Sequence, residues 1–157
     1  MTNMGTEKEN FRIDPKIVIA IIPIGIIGLM LLMMQSAVAK PNFEVTGARV
    51  EDRYIFGTYV VLSLRNSGNR DAYNIKIGLT QLIIASDTGE ARALSPVGAE
   101  LAFLQGGQGK QVSVYIGGVS YLVSGKFDWS GNLRVKEMKV SITCDEGVSQ
   151  ELLYKGP

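Results

Sequence analysis

The side chains that carry most protein chemistry are scarce in this sequence. There is no histidine and one cysteine among 157 residues. Without imidazole, the usual zinc and copper nitrogen sites, the Ser-His and Cys-His nucleophile pairs and the commonest general base near neutral pH are excluded. Met30, Met33 and Met34 have the i, i+3, i+4 spacing that could offer soft thioether ligands to Cu(I). The same spacing lets flexible thioethers fill an interhelical groove or face lipid, and that is the reading adopted. Gly106-Gly107-Gln108-Gly109-Lys110 invites comparison with a phosphate-binding loop, but Leu104 and Gln111 stand where that loop needs Gly and Ser or Thr. The segment reads as a hairpin turn. Glu51-Asp52 and Asp145-Glu146 supply carboxylates without the ligand series a calcium loop demands. No catalytic residue, metal or cofactor is therefore expected.

One stretch has the composition of a contact site. Gly117–Asn132, GGVSYLVSGKFDWSGN, holds the sole tryptophan, Trp129, with Tyr121 and Phe127 close by and glycines on both sides. Aromatics on a loop or short hairpin present large contact area at small entropic cost, which suits Tyr121, Phe127 and Trp129 to partner binding. The alternative is structural: the rings plug one end of the fold or pack on a membrane-proximal surface.

These residues must be positioned by two unlike parts of the chain. Ile17 to Met34 contains no charge, and 18 helical residues rising ~1.5 Å each would cover ~27 Å, close to the hydrocarbon thickness of a bilayer. Pro23, Gly25 and Gly28 weaken a helix in water but are tolerated in membrane helices. Gly25 and Gly28, with Met30, Met33 and Met34, would form a face for packing against another membrane helix. Ala37-Val38-Ala39 also looks like a signal-peptidase site. The apolar run is longer than a usual signal core, and the polar, mixed-charge leader suits retention, so an uncleaved anchor is the preferred reading. Lys8, Arg12 and Lys16 precede the run, which points the N-terminus to the cytoplasm. The expected organisation is a cytoplasmic tail over 1–16, a transmembrane signal anchor over 17–39 and an extracytoplasmic domain over 40–157.

Beyond residue 40 the period changes to two. Tyr73, Ile75, Ile77 and Leu79 alternate with polar or small residues, as do Val112, Val114 and Ile116, and Met138, Val140, Ile142 and Cys144. Phe43 to Val50, Tyr54 to Arg65, Leu101 to Leu104 and Ser149 to Tyr154 read as further strands. Turn chemistry separates them at Asn66-Ser67-Gly68-Asn69, Asp87-Thr88-Gly89, Gly106–Gly109 and Asp145-Glu146-Gly147. In the first, Asn66 can bond its own backbone to start the turn, and Gly68 and Asn69 can take positive φ at low cost. Seven or eight short strands without βαβ alternation predict an all-β, antiparallel β-sandwich with Cys144 in its core.

The hairpin from Val60 through Asn66-Ser67-Gly68-Asn69 to Ala72-Tyr73-Asn74-Ile75-Lys76-Ile77 resembles immunoglobulin-like domains of the CARDB type, in which a strand ends in Asn-x-Gly and the next begins Ala-x-Asn. Leu104 to Val114 is similar to that family's turn into a following strand. The resemblance spans roughly residues 42–155 and implies an immunoglobulin-like sandwich, present once. It also implies a setting, since such domains stand behind single membrane anchors in archaeal cell-envelope proteins, including archaellum stator proteins.

With 16 basic against 15 acidic side chains, three of each before residue 17, the part after the apolar run keeps 13 against 12. Such a surface has no dominant electrostatic partner, and nucleic acid is not expected. The expected partners are membrane lipid and other subunits of a membrane or envelope assembly, with no small-molecule substrate. The expected role is that of a non-catalytic structural or accessory subunit at the cell membrane. An archaellum-stator-like tether to the surface layer and a secreted binding module released after Ala39 are the alternatives.

Overall fold

A computed structural model describes Met30 and residues 39–157. The proposed anchor therefore lies outside the described residues except for Met30 and Ala39, as do Gly25, Gly28, Met33 and Met34. Met30 is helical and exposed. Among the described residues no helix is long and apolar enough to cross a membrane.

Ala39–Pro157 forms a compact unit of nine antiparallel strands, rather than the seven or eight expected. They are β1 (Phe43–Asp52), β2 (Thr58–Asn66), β3 (Ala72–Ala85), β4 (Gly89–Ala93), β5 (Val97–Leu104), β6 (Gly109–Tyr115), β7 (Tyr121–Gly125), β8 (Arg134–Thr143) and β9 (Ser149–Lys155). One sheet is ordered β1-β2-β6. The other is ordered β7-β4-β3-β8-β9, with β5 also paired to β3. The long β3 organises the larger sheet: β5 lines the first half of one edge, β4 the last residues of that edge, and β8 the opposite edge.

The sandwich-like core forms where the alternating apolar residues of the two sheets meet. Val60, Leu62 and Leu64 of β2 and Val112 and Val114 of β6 join Ile75, Ile77, Leu79, Leu82 and Ile84 of β3 and Met138, Val140 and Ile142 of β8. Each fully buried aliphatic side chain of this kind stabilises the fold by about 1.5–3 kcal/mol relative to exposure, before entropy is counted. Cys144 lies just past β8, half-buried at the edge of this core rather than within it.

Three departures from the expected strands have physical causes. The alternation in β3 runs Ile75, Ile77, Leu79 and then shifts to Leu82 and Ile84, because a bulge between Leu79 and Gln81 moves the pleat by one residue. A second irregularity, between Ile83 and Ile84, does the same to β8 upstream of Met138 and brings Val135 inward. The expected strand over 54–65 is broken: Tyr54–Phe56 is a 3-10 turn, Gly57 takes φ of 85°, and Asp52 pairs with Thr58 across the hairpin. Strands β4 and β7 carry little periodic signal, since β4 buries only Ala91 and β7 is a largely exposed edge strand.

The strand directions define two ends. At one lie residues 39–42, the 66–71 and 105–108 turns and the start of β9. At the other lie Tyr54–Phe56, the β3–β4 hairpin, the 116–120 loop and the chain terminus. The first end is held by Asn66, a fully buried polar residue. Its side-chain oxygen accepts from the Asn42 and Gly68 N–H groups, each at 3.2 Å. Its amide nitrogen donates to the carbonyls of Arg70 at 2.7 Å and Leu104 at 3.4 Å. The expected Asx turn is thus present, whereas Gly68 and Asn69 do not take positive φ. Gly68 is small for another reason: a Cβ there would sit 2.6 Å from the Lys40 carbonyl oxygen and 2.8 Å from the Asn42 nitrogen.

Candidate functional site: an aromatic cluster at one end

Tyr121, Phe127 and Trp129 come together at the end opposite residues 39–42. Trp129 meets Tyr121 edge-on at 4.9 Å between ring centroids and Phe127 edge-on at 4.8 Å. This T-shaped geometry brings the positive edge of one ring to the negative face of another. Tyr121 opens β7 opposite Ala93 of β4, and its hydroxyl donates to the Ile116 carbonyl at 3.1 Å. Half-burial raises the Tyr121 phenol to about 12.

The loop that carries Trp129 is fixed by short polar side chains. Asp128 accepts both the Ser130 N–H, at 2.9 Å, and the Ser130 hydroxyl, at 2.7 Å, closing an Asx turn around Trp129. Those two bonds hold the Asp128 carboxyl below its ordinary value. The loop leans on the β3–β4 hairpin: Lys126 N–H donates to the Thr88 carbonyl at 3.2 Å, and the Thr88 hydroxyl donates to the Lys126 carbonyl. Gly125 makes the bend with φ of 74°, and a Cβ there would lie 2.7 Å from the Thr88 carbonyl oxygen.

The three rings do different work. Tyr121 and Phe127 are partly buried against the core and close that end of the sandwich. Trp129 remains 41% exposed and forms one wall of a 240 Å³ cleft with Thr58, Ile116, Gly117, Val119 and Tyr121. Both the plugging and the contact readings therefore have residues to carry them. The chain matches no protein-family model, and no curated protein matches it.

Two further residues of this end escaped the sequence reading. Ile55 is 90% exposed and Phe56 68%, on the 3-10 turn two residues from cleft-lining Thr58. Their apolar, β-prone character hid them in an expected strand. The signal that could have exposed them is Gly57, a positive-φ position directly after three bulky residues. Nearby, Tyr59 and Tyr115 pack at 5.3 Å and the Arg53 guanidinium lies 4.7 Å above the Tyr59 ring.

A larger recess of 580 Å³ lies on the outer face of β3 and β5, lined by Asn74, Lys76, Glu100, Leu101, Ala102 and Asp145. Asn74 has φ of 48° and its amide donates to Asp145 at 2.6 Å. Glu146 beside it accepts the Tyr73 N–H at 3.1 Å. Partial burial opposes ionisation of Glu146, but hydrogen bonds from the Tyr73 N–H and the Cys144 thiol outweigh it and lower its pKa. These groups satisfy one another within a turn. Among the described residues, no group of three His, Cys, Asp or Glu side chains could hold a metal ion.

Proposed function

We propose that this protein is a membrane-anchored, non-catalytic accessory or structural subunit whose external immunoglobulin-like domain engages another protein through its Trp129 end. The observation that carries the contact surface is Trp129 itself: locked by an Asx turn and two edge-on rings, yet exposed beside a cleft. A rigid, amphipathic ring held ready in this way loses little entropy on binding, the usual property of an interface anchor. Ile55 and Phe56 add exposed apolar side chains at the same end of the domain. The anchor rests on the uncharged Ile17–Met34 run, with the N-terminus in the cytoplasm and the domain outside. The immunoglobulin-like assignment rests on two stacked antiparallel sheets together with the CARDB-like Asn66–Asn69 hairpin. Gly25, Gly28, Met30, Met33 and Met34 supply the helix-packing face toward a neighbouring subunit.

The test is co-purification after mild detergent extraction, comparing the native chain with Trp129→Ala. The native chain should bring down a defined membrane or envelope subunit, and the variant should lose it while keeping its strand circular dichroism. A partner retained equally by both would remove Trp129 from the interface. A native chain isolated from membranes as a partner-free monomer would contradict the accessory-subunit role.

A further inference from the structure

The edges of the two sheets are treated unequally. The outer edges of β5 and β9 lie beside β6 and β1, so each sheet shields the other. Strand β1 also carries a bulge between Val45 and Gly47 and the charges of Glu44, Arg49 and Glu51. Such devices keep a strand from pairing with another chain. Strand β7 has none of them. It pairs with β4 alone, lacks a bulge, a proline or a charge, and belongs to the uncharged run Gly117–Gly125. Leu122 is 62% exposed. Val123 is 49% exposed although it lies opposite fully buried Ala91 and shares its inward face.

The ladder to β4 fixes which backbone groups stay free. The Leu94 N–H donates to the Ser120 carbonyl at 2.9 Å, and the Lys126 N–H to the Thr88 carbonyl at 3.2 Å. Bonded residues alternate along an antiparallel ladder, so Leu122 and Ser124 bond to β4. Tyr121, Val123 and Gly125 turn their N–H and carbonyl groups to the open edge. A second β7 laid antiparallel on that edge must match these residues with its own, which places either Leu122 or Val123 on the two-fold axis. Gly125, with φ of 74°, leaves the extended conformation and favours the Leu122 axis. Tyr121 then exchanges both N–H···O bonds with Val123 of the second copy, and the reverse. The exposed Leu122 side chains stand opposite each other, and each Tyr121 meets a valine, an aromatic and β-branched pair of the kind that stabilises sheets. A two-fold axis sets each residue close to its own copy, so any charge near it would meet its like. The run has none before Lys126. An edge kept for an unlike strand has no such need to be neutral.

We infer that β7 pairs edge to edge with β7 of a second copy of this chain, antiparallel about Leu122, joining the larger sheets of the two domains into one. The inference uses only the β7 edge and stands apart from the membrane-anchor and Trp129 readings. A strand of 5 residues makes a small interface, so the pairing is reversible and depends on concentration.

The experiment is disulfide trapping of the full chain, in the cells that express it and after purification, with Cys144→Ser removing the native thiol. Residues that face each other in a non-hydrogen-bonded pair have Cα atoms ~4.5 Å apart, within the ~4.4–6.8 Å that a disulfide spans. Leu122→Cys should therefore give a linked dimer under mild oxidant. Ser124→Cys lies on the same face but about 14 Å from its own copy, at ~3.4 Å per residue, and should give about tenfold less. Adding Val123→Lys to Leu122→Cys should abolish the link while strand circular dichroism is kept. Equal linkage at both positions, or a link that survives Val123→Lys, would overturn the pairing. So would a Leu122→Cys chain that stays monomeric or is trapped on a different protein. Should Cys144→Ser fold poorly, sedimentation of the otherwise native chain decides. A dimer that Val123→Lys dissociates supports the pairing; a monomer at every concentration, or a dimer indifferent to the lysine, overturns it.

Discussion

Replacing Asn66 by alanine should cost more stability than any other single substitution of a polar residue in the described domain. The side chain is 0% exposed and serves four backbone groups from three separate segments. Its loss removes one bond to the Leu104 carbonyl, whose residue is also paired with Ala72 in the β3–β5 ladder, at about 0.5–1.5 kcal/mol, toward the low end because that bond is long. The Asn42, Gly68 and Arg70 groups are nearer solvent and forfeit roughly 0.5–1.5 kcal/mol each, with strong overlap because they belong to one network. A total of about 2–4 kcal/mol follows, and a domain of this size should lose about 8–16 °C in Tm. Thermal unfolding of the full chain in detergent, followed by strand circular dichroism, reads this directly. Asn66→Asp separates the network from simple volume: it keeps the two acceptors but turns a second oxygen on the Arg70 and Leu104 carbonyls. It should be at least as destabilised as Asn66→Ala at neutral pH and should recover part of the loss when acid restores a donor. A change below about 2 °C in both variants would refute the reasoning, since it would fall within the range of an ordinary surface substitution.

Other substitutions follow from the same geometry. Gly68→Ala should destabilise by about 1–3 kcal/mol, because its Cβ would press on the Lys40 and Asn42 backbone; denaturant titration measures it. Asp128→Ala should leave stability within ~0.5 kcal/mol but raise the mobility of Trp129, read as lower fluorescence anisotropy, by removing the Asx turn. Glu146 has a lowered folded pKa, so its contribution is present above the ordinary carboxylate range and fades as pH falls through the folded value; Glu146→Gln should flatten that acid limb of a stability profile. Tyr121 has a raised folded pKa, so its contribution holds below the ordinary phenol value of 10 and is lost as pH rises toward about 12; ultraviolet titration should show a late tyrosinate step that Tyr121→Phe abolishes.

Much of the architecture was legible because burial on one face imposes period two. The alternations at Ile75–Leu79, Val112–Ile116 and Met138–Ile142 each correspond to a real strand with the expected face inward, whereas Tyr73, expected on the same face as Ile75, is exposed because the positive φ of Asn74 interrupts the pleat between them. The failures occur where that rule has no purchase. Bulges in β3 and β8 shift the pleat, so alternation stops short of the strand ends. Strand β4 is held by its ladders to β3 and β7, and β7 by its ladder to β4, rather than by a buried apolar face, and composition does not record such pairing. Tyr54-Ile55-Phe56 has strand-like residues in a turn because Gly57 and the hairpin register override local preference. For the site, the glycine-flanked aromatics were visible as a group. Their division into two partly buried rings and one exposed ring depends on how the 126–130 loop leans on the β3–β4 hairpin, a contact between segments far apart in sequence.

The central claim is that the chain works from the membrane with its sandwich-like domain presented outward. Intact mass spectrometry of the native protein, recovered separately from membrane and soluble fractions, tests this most directly. A membrane-fraction species beginning at Met1 or Thr2 should account for the protein, while a soluble species beginning at Lys40 would contradict the claim and make it a released binding module.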